Sequence, residues 1–196
     1  MTLSNDKAAL RSRLLHSRAT ISPERRQAAA GALRDVLLSV PEVQRARTVA
    51  AYLAVGREPG TAPALAALHG RGVRVLLPVL CPDNDLDWAA YGGEGSLVQA
   101  RRGLREPSGP HLGLEAVAAA DALLVPALAV DRSGRRLGRG GGSYDRALGR
   151  VPADRFTVAL LYDGEVLDAV PGAPHDRHVR AAATPSGLLR FTGWTR

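Results

Sequence analysis

Apolar and polar positions fall into two regimes along this chain. Up to Pro41 the apolar residues keep helical spacing: Ala29, Leu33, Val36, Leu37 and Val40 share one face. Ser22-Pro23-Glu24 opens that helix. It supplies a capping oxygen, a proline where no N–H is needed, and an acid at the positive end of the helix dipole. Pro41 ends the run, and an earlier helix is predicted from Asp6 to Arg18. Beyond Pro41 the pattern becomes short apolar runs. Thr48–Val55 and Gly72–Val79 read as strands, and Thr61–His69 between them reads as a helix that Gly70 stops. This strand–helix–strand unit implies parallel pairing. Leu86–Tyr91, Ala122–Val130 and Phe156–Tyr162 read as further strands, and Leu114–Ala120 as a short helix. Gly92–Pro110, rich in glycine and proline, reads as loop. A last helix is predicted from Ser143 to Arg150. The expected fold is a single three-layer α/β/α domain over residues 1–196, with a mostly parallel or mixed sheet.

Composition narrows the class. Of 196 residues, 45% are hydrophobic and 23% charged, which is ordinary globular usage and excludes a disordered chain. No run reaches the roughly 18 apolar residues of a membrane span. Met1–Leu10 lacks the apolar core of a signal peptide, so a cytoplasmic protein is expected. Cys81, the single cysteine, excludes an internal disulfide and any multi-cysteine zinc site. The histidines at 16, 69, 111, 175 and 178 show no metal-ligand spacing. The net charge of +7 admits nucleic acid, a membrane surface or an anionic small molecule as partner. Nucleic acid is disfavoured: there is no zinc motif and no long basic helix, and aromatic residues are only 4%.

The charge is uneven. Between Asp131 and Arg150 lies +4 of the +7, in a segment that also holds Gly134, Gly138, Gly140, Gly141 and Gly142. A buried strand leads into this loop and a helix leads out of it. Glycines let backbone approach a phosphate, and helix N-terminal amides attract one. The loop is neither G-x-G-x-x-G, because Ser143 stands at the last position, nor a Walker A loop, because no Lys-Ser/Thr follows. The plain alternative is a surface turn. Asp145 reads as a helix-start acid or a metal carboxylate. His175-Asp176 reads as a solvated turn or a second metal carboxylate. Two such acids with phosphate oxygens would suit Mg²⁺. Lys7 and Arg11 share a helix face, either simply solvated or clamping phosphate. Glu58, just past a strand end, is a loop acid or a ligand-binding group.

Together these segments resemble the 5-formyltetrahydrofolate cyclo-ligase family. The resemblance rests on Lys7-x-x-x-Arg11, on Tyr52 through Glu58 to Thr61, and on Gly103-Leu104-Arg105-Glu106-Pro107. It continues through Val125-Pro126, Asp131, Gly134, Arg136-Leu137-Gly138, Gly140, Gly142 and Tyr144-Asp145-Arg146, and ends with Pro171, His175-Asp176 and Thr184. It implies ATP- and Mg²⁺-dependent conversion of 5-formyltetrahydrofolate into 5,10-methenyltetrahydrofolate, with ADP and phosphate released. In that chemistry the formyl oxygen attacks the γ-phosphate, N10 closes the ring and phosphate leaves. The resemblance assigns ATP to Lys7, Arg11, Arg136, Gly138, Arg139, Gly140, Gly141, Gly142, Ser143, Tyr144 and Asp145. It assigns catalysis to Tyr144 and Asp145, the metal to Asp145 and Asp176, and the reduced folate to Glu58 and Tyr52. A monomer without nucleic-acid or membrane partners is expected. Two departures stand out: Ser143 where the family has a second tyrosine, and Glu165 where it has a glutamine. They motivate a second reading, a catalytically weak folate- or nucleotide-binding relative.

Overall fold

The computed structural model describes residues 3–173 and 176–191. Helix α1 (Leu3–Ala19) precedes α2 (Pro23–Ser39) and the single turn α3 (Pro41–Gln44). Then come β1 (Thr48–Ala50), α4 (Ala62–Gly70), β2 (Arg74–Leu80), β3 (Leu86–Ala90), β4 (Leu97–Gln99) and β5 (Arg105–Pro107). A 3₁₀ segment (Leu114–Ala119) leads to β6 (Ala122–Pro126), β7 (Ala129–Asp131) and β8 (Arg136–Leu137). Helix α5 (Ser143–Arg150), β9 (Phe156–Leu160), β10 (Val166–Leu167), β11 (Ala181–Thr184) and β12 (Gly187–Arg190) complete the order. Ser22 caps α2 as expected, its hydroxyl accepting the Arg25 amide at 3.3 Å. Pro41 both ends α2 and opens α3, since a first-turn position needs no N–H.

The main sheet has the strand order β12-β11-β9-β6-β1-β2-β3. Its five inner strands run parallel, and β3 and β12 close the edges antiparallel. Every residue of β9 is buried, as a strand covered on both faces must be. On one face Leu33 and Leu37 of α2 and Leu65 and Leu68 of α4 pack against Val49, Leu124 and Val158. On the other, Val117, Ala147, Leu148 and Trp88 enclose Leu123, Val125 and Ala159. These are the three layers expected from the sequence.

Three expected elements change. The Ala122–Val130 run breaks after Pro126, because a proline cannot donate to a continuing ladder. Strand β6 stays in the main sheet, while β7 joins β10 and β8 in a separate three-stranded sheet. Thr48–Val55 shortens to β1, because side chains take the later amides: Ala54 N–H donates to Thr61 Oγ1 and Val55 N–H to Glu58 Oε2. The presumed loop at 92–110 contains the hairpin β4–β5. Helix α1 covers the small sheet, with Leu14 against Leu128, Ala129 and Leu137.

The turn between β2 and β3 is fastened to α5. Arg150 donates from Nη1 and Nη2 to the two oxygens of Asp85, at 2.9 and 2.6 Å. The Arg150 hydrogen bonds, opposed by burial and helped by the Leu86 amide, hold the Asp85 carboxyl below its ordinary value. A lowered folded-state value adds stability above the unfolded pKa of about 3.9, and that stability is lost as pH falls through the folded value. Asp85→Asn is therefore expected to cost about 1–3 kcal/mol at pH 7 and much less near pH 3. Urea unfolding at both pH values measures this, and equal losses at both would contradict it.

Candidate active site at the sheet switch point

The sheet order reverses between β1 and β6. Strand β1 leads through α4 to β2 on one side, whereas β6 pairs with its other edge. Ligands of open α/β sheets sit in the crevice that such a reversal opens beyond the strand carboxyl ends. Here that crevice is a cavity of about 440 Å³. Lys7, Arg11, Tyr52, Glu58, Arg136, Gly138, Arg139, Gly140, Gly141, Gly142, Ser143, Tyr144, Asp145 and Asp176 all line it. The candidates gathered from four separate stretches of sequence thus share one enclosure. His175 and Pro174 lie outside the described residues.

The glycine loop runs from β8 to α5. Gly140 (φ +102°) and Gly142 (φ +69°) take left-handed conformations that a side chain would strain. Gly142 begins α5, and no side chain caps that helix. The first-turn amides therefore border the cavity uncapped, the usual arrangement for an anion. Arg11 Nε donates to the Gly138 carbonyl at 2.9 Å and lies against Gly140, fixing α1 to this loop.

The two candidate metal carboxylates are each held by a cation. Arg136, with its side chain only 4% exposed, donates from Nη2 to Asp145 Oδ1 at 2.9 Å and from Nη1 to the Pro126 carbonyl. The Arg177 amide donates to the same Oδ1 at 3.3 Å. Among the described residues Asp145 Oδ2 accepts no hydrogen bond. Lys7 Nζ meets Asp176 Oδ2 at 2.6 Å, and the Ala173 amide donates to that oxygen as well. Lys7 and Arg11 are thus no solvated pair: Lys7 reaches Asp176, and Arg11 reaches the glycine loop. The described residues hold no group of three or more His, Cys, Asp or Glu placed to bind a metal.

At the other end, Glu58 closes its own turn. Its Oε2 accepts the Val55 amide at 2.9 Å, and its Oε1 lies 3.5 Å from Arg139 Nε. The Tyr52 and Tyr144 hydroxyls are buried without a partner among the described residues. Burial first, and then the Glu58 carboxylate, push both phenols well above their ordinary value. Both stay protonated at working pH, so neither is a base.

Sequence reasoning missed Arg18 and the apolar wall of Leu53, Leu77, Leu80, Leu86 and Leu128, and it read Arg102 only as part of a loop. Arg18 was legible in principle, since it continues the helical stripe of Lys7, Arg11 and Leu14. The wall was not, because it assembles from strand ends distant in sequence. Glu165, read as a departure at the site, is a buried partner of Arg18 instead.

The sequence model of the 5-formyltetrahydrofolate cyclo-ligase family matches residues 3–185. The chain belongs to this family. A 5-formyltetrahydrofolate cyclo-ligase from Mycolicibacterium smegmatis is 45% identical over 184 residues, spanning 91% of this chain and 93% of that protein. One from Escherichia coli is 31% identical over 177 residues, spanning 89% and 97%. The NMR structure of Aquifex aeolicus 5,10-methenyltetrahydrofolate synthetase superposes with a TM-score of 0.82 at 27% identity, covering 97% of this chain and 95% of that one. The fold is thus the fold of a known synthetase. No helix among the described residues is long and apolar enough to cross a membrane.

Proposed function

We propose that this chain is a cytoplasmic 5-formyltetrahydrofolate cyclo-ligase that uses ATP and Mg²⁺ and acts as a single unit over residues 1–196, as a monomer. The observation that carries this reading is the convergence at one switch-point cavity. It joins the glycine loop, the uncapped N-terminus of α5, the cations Lys7, Arg11, Arg136 and Arg139 and the carboxylates Asp145 and Asp176 to a second part lined by tyrosines and leucines. ATP would supply the phosphoryl group that makes the formyl oxygen a leaving group, and Mg²⁺ the charge that balances the phosphates.

The residues fit both. Gly138, Gly140, Gly141 and Gly142 offer backbone without side chains, and the first-turn amides of α5 offer donors. Lys7, Arg11, Arg136 and Arg139 surround them with positive charge. Mg²⁺ takes one or two carboxylates with phosphate oxygens and water, so Asp145 and Asp176 suffice without a third acid. Each now neutralises a cation, Arg136 or Lys7. With MgATP bound, Arg136 and Lys7 would pair with phosphate oxygens, and Asp145 and Asp176 would be the carboxylates that hold the metal. Ion pairs would be exchanged rather than bare charge exposed, which would limit the desolvation cost.

At the opposite end the apolar wall matches a flat aromatic ring system. The hydroxyls of Tyr52 and Tyr144, without a partner among the described residues, are donors for acceptors on the ring or the formyl group, since a buried polar group left unsatisfied is costly. The Glu58 carboxylate is a matching acceptor for ring N–H groups. Positioning the formyl oxygen against the phosphate is the main task left to the protein. The weak-relative reading loses half its motive, because Glu165 is paired with Arg18 and does not itself line the cavity. The test is whether purified protein forms the methenyl product, read by absorbance, only when ATP and Mg²⁺ are both present. Equal formation with Mg²⁺ chelated would contradict the metal role.

A further inference from the structure

Helix α1 brings Lys7 and Arg11 to the cavity, yet it has little apolar surface to hold it there. Among its side chains from Asn5 to Ala19, only Leu14 and Arg18 are buried. Lys7, Arg11, Leu14 and Arg18 fall on one stripe of the helix, and Arg18 reaches deepest. Its side chain is 2% exposed. Nε donates to Glu165 Oε1 at 2.7 Å, while Nη2 donates to Glu165 Oε2 at 2.7 Å and to the Ala127 carbonyl at 2.7 Å.

The pair reaches further than α1. Glu165 Oε2 also accepts the Tyr162 amide at 2.8 Å, and the Arg18 guanidinium stands 5.5 Å from the Tyr162 ring centre. The Tyr162 hydroxyl donates to the Glu58 carbonyl at 3.2 Å. One buried contact thus joins α1, the end of β6, the turn after β9 and the Glu58 turn. The donors leave no room for an amide at 165. Oε1 receives Arg18 Nε–H while Oε2 receives both Nη2–H and the Tyr162 amide, so an NH₂ at either place would face a donor.

Ion pairs buried this way add little net stability compared with apolar residues of similar size. The consequence of this one lies in placement. We propose that Arg18 and Glu165 are positioning residues: their pair sets the seat of α1, and so the reach of Lys7 and Arg11 into the phosphate end of the cavity, in register with Glu58 at the other end. The inference rests on reading Lys7 and Arg11 as nucleotide ligands.

The test compares wild type, Glu165→Gln, and the double variant Arg18→Met with Glu165→Leu, which leaves no lone buried charge. Melting temperature, amide hydrogen exchange along α1, and KM and kcat with MgATP are read for each. The double variant is expected to melt within a few degrees of wild type. Its α1 amides should exchange about tenfold faster or more while β6 and β9 stay protected, and its KM for ATP should rise about tenfold or more with a smaller change in kcat. Glu165→Gln, which keeps the Tyr162 bond and one Arg18 bond, should fall between. A folded double variant with wild-type α1 exchange and wild-type KM overturns the proposal. If the double variant does not fold, Glu165→Gln and Arg18→Lys decide on the same readouts: lowered melting with unchanged KM in both overturns it. Wild type that binds no ATP would sink the functional reading instead, and the exchange data would still judge the seating of α1.

Discussion

Asp145→Asn is expected to lower kcat by about 10²–10³-fold or more while the protein stays folded. Asp145 sits in the first turn of α5, and its Oδ1 accepts from Arg136 at 2.9 Å and from the Arg177 amide at 3.3 Å. An asparagine oxygen takes over both bonds, so the local structure survives. What disappears is the negative charge proposed to hold the metal beside the phosphates. Asp145→Ala should reach the same catalytic floor by a rougher route. It strips a partner from the buried Arg136 guanidinium and adds a stability loss of about 1–3 kcal/mol. Measuring kcat and melting temperature on both variants separates the effects. Near-normal turnover in the folded asparagine variant would remove Asp145 from the metal role.

Gly134→Ala should produce the largest stability loss, about 3–5 kcal/mol, or roughly 10–15 °C in Tm. Gly134 turns the chain between β7 and β8 at φ +84°, where an alanine is already strained by about 1–2 kcal/mol. A Cβ there would also overlap the Val179 carbonyl oxygen and press on the Phe191 ring. Neither can yield cheaply. The Gly134 carbonyl accepts the Val179 amide at 2.8 Å, and the turn is stapled by Asp131, which accepts from Ser133, Arg135 and Val170. The loop leaving this turn carries Arg136 and the cavity glycines, so the variant should also lose nucleotide binding. Chemical denaturation measures the first effect. A change below about 1 kcal/mol would show that the turn relaxes without strain.

What could be read from sequence was mostly local. The Ser22 cap, the bounds of α5 and the glycine loop involve residues within one or two turns of each other, where spacing and side-chain chemistry decide. Arg136 and Asp145 are close enough in sequence for their loop to be recognised as one unit. The Lys7–Asp176 pair links residues 169 apart, and no periodicity announces it. Only the resemblance to a family placed both at one site. Strand β11 reads Ala-Ala-Ala-Thr, a helix by propensity. It is a strand because it lies between β9 and β12 with its alanines buried. Pairing along the sheet overrides intrinsic preference there. The switch point is a property of strand order, which depends on contacts between distant segments, so the apolar wall that it assembles was invisible. Glu165 shows the reverse error: judged alone it looked like a misplaced charge, and only its distant partner Arg18 explains it.

The most direct measurement follows product and nucleotide together in one reaction. Purified protein is mixed with 5-formyltetrahydrofolate, ATP and Mg²⁺, and the methenyl absorbance and the ADP released are quantified over time. The two should appear in equal amounts, neither should appear without the folate, and no methenyl product should form without ATP. ADP release that ignores the folate, or no methenyl product under conditions where a known family member turns over, would contradict the proposed function.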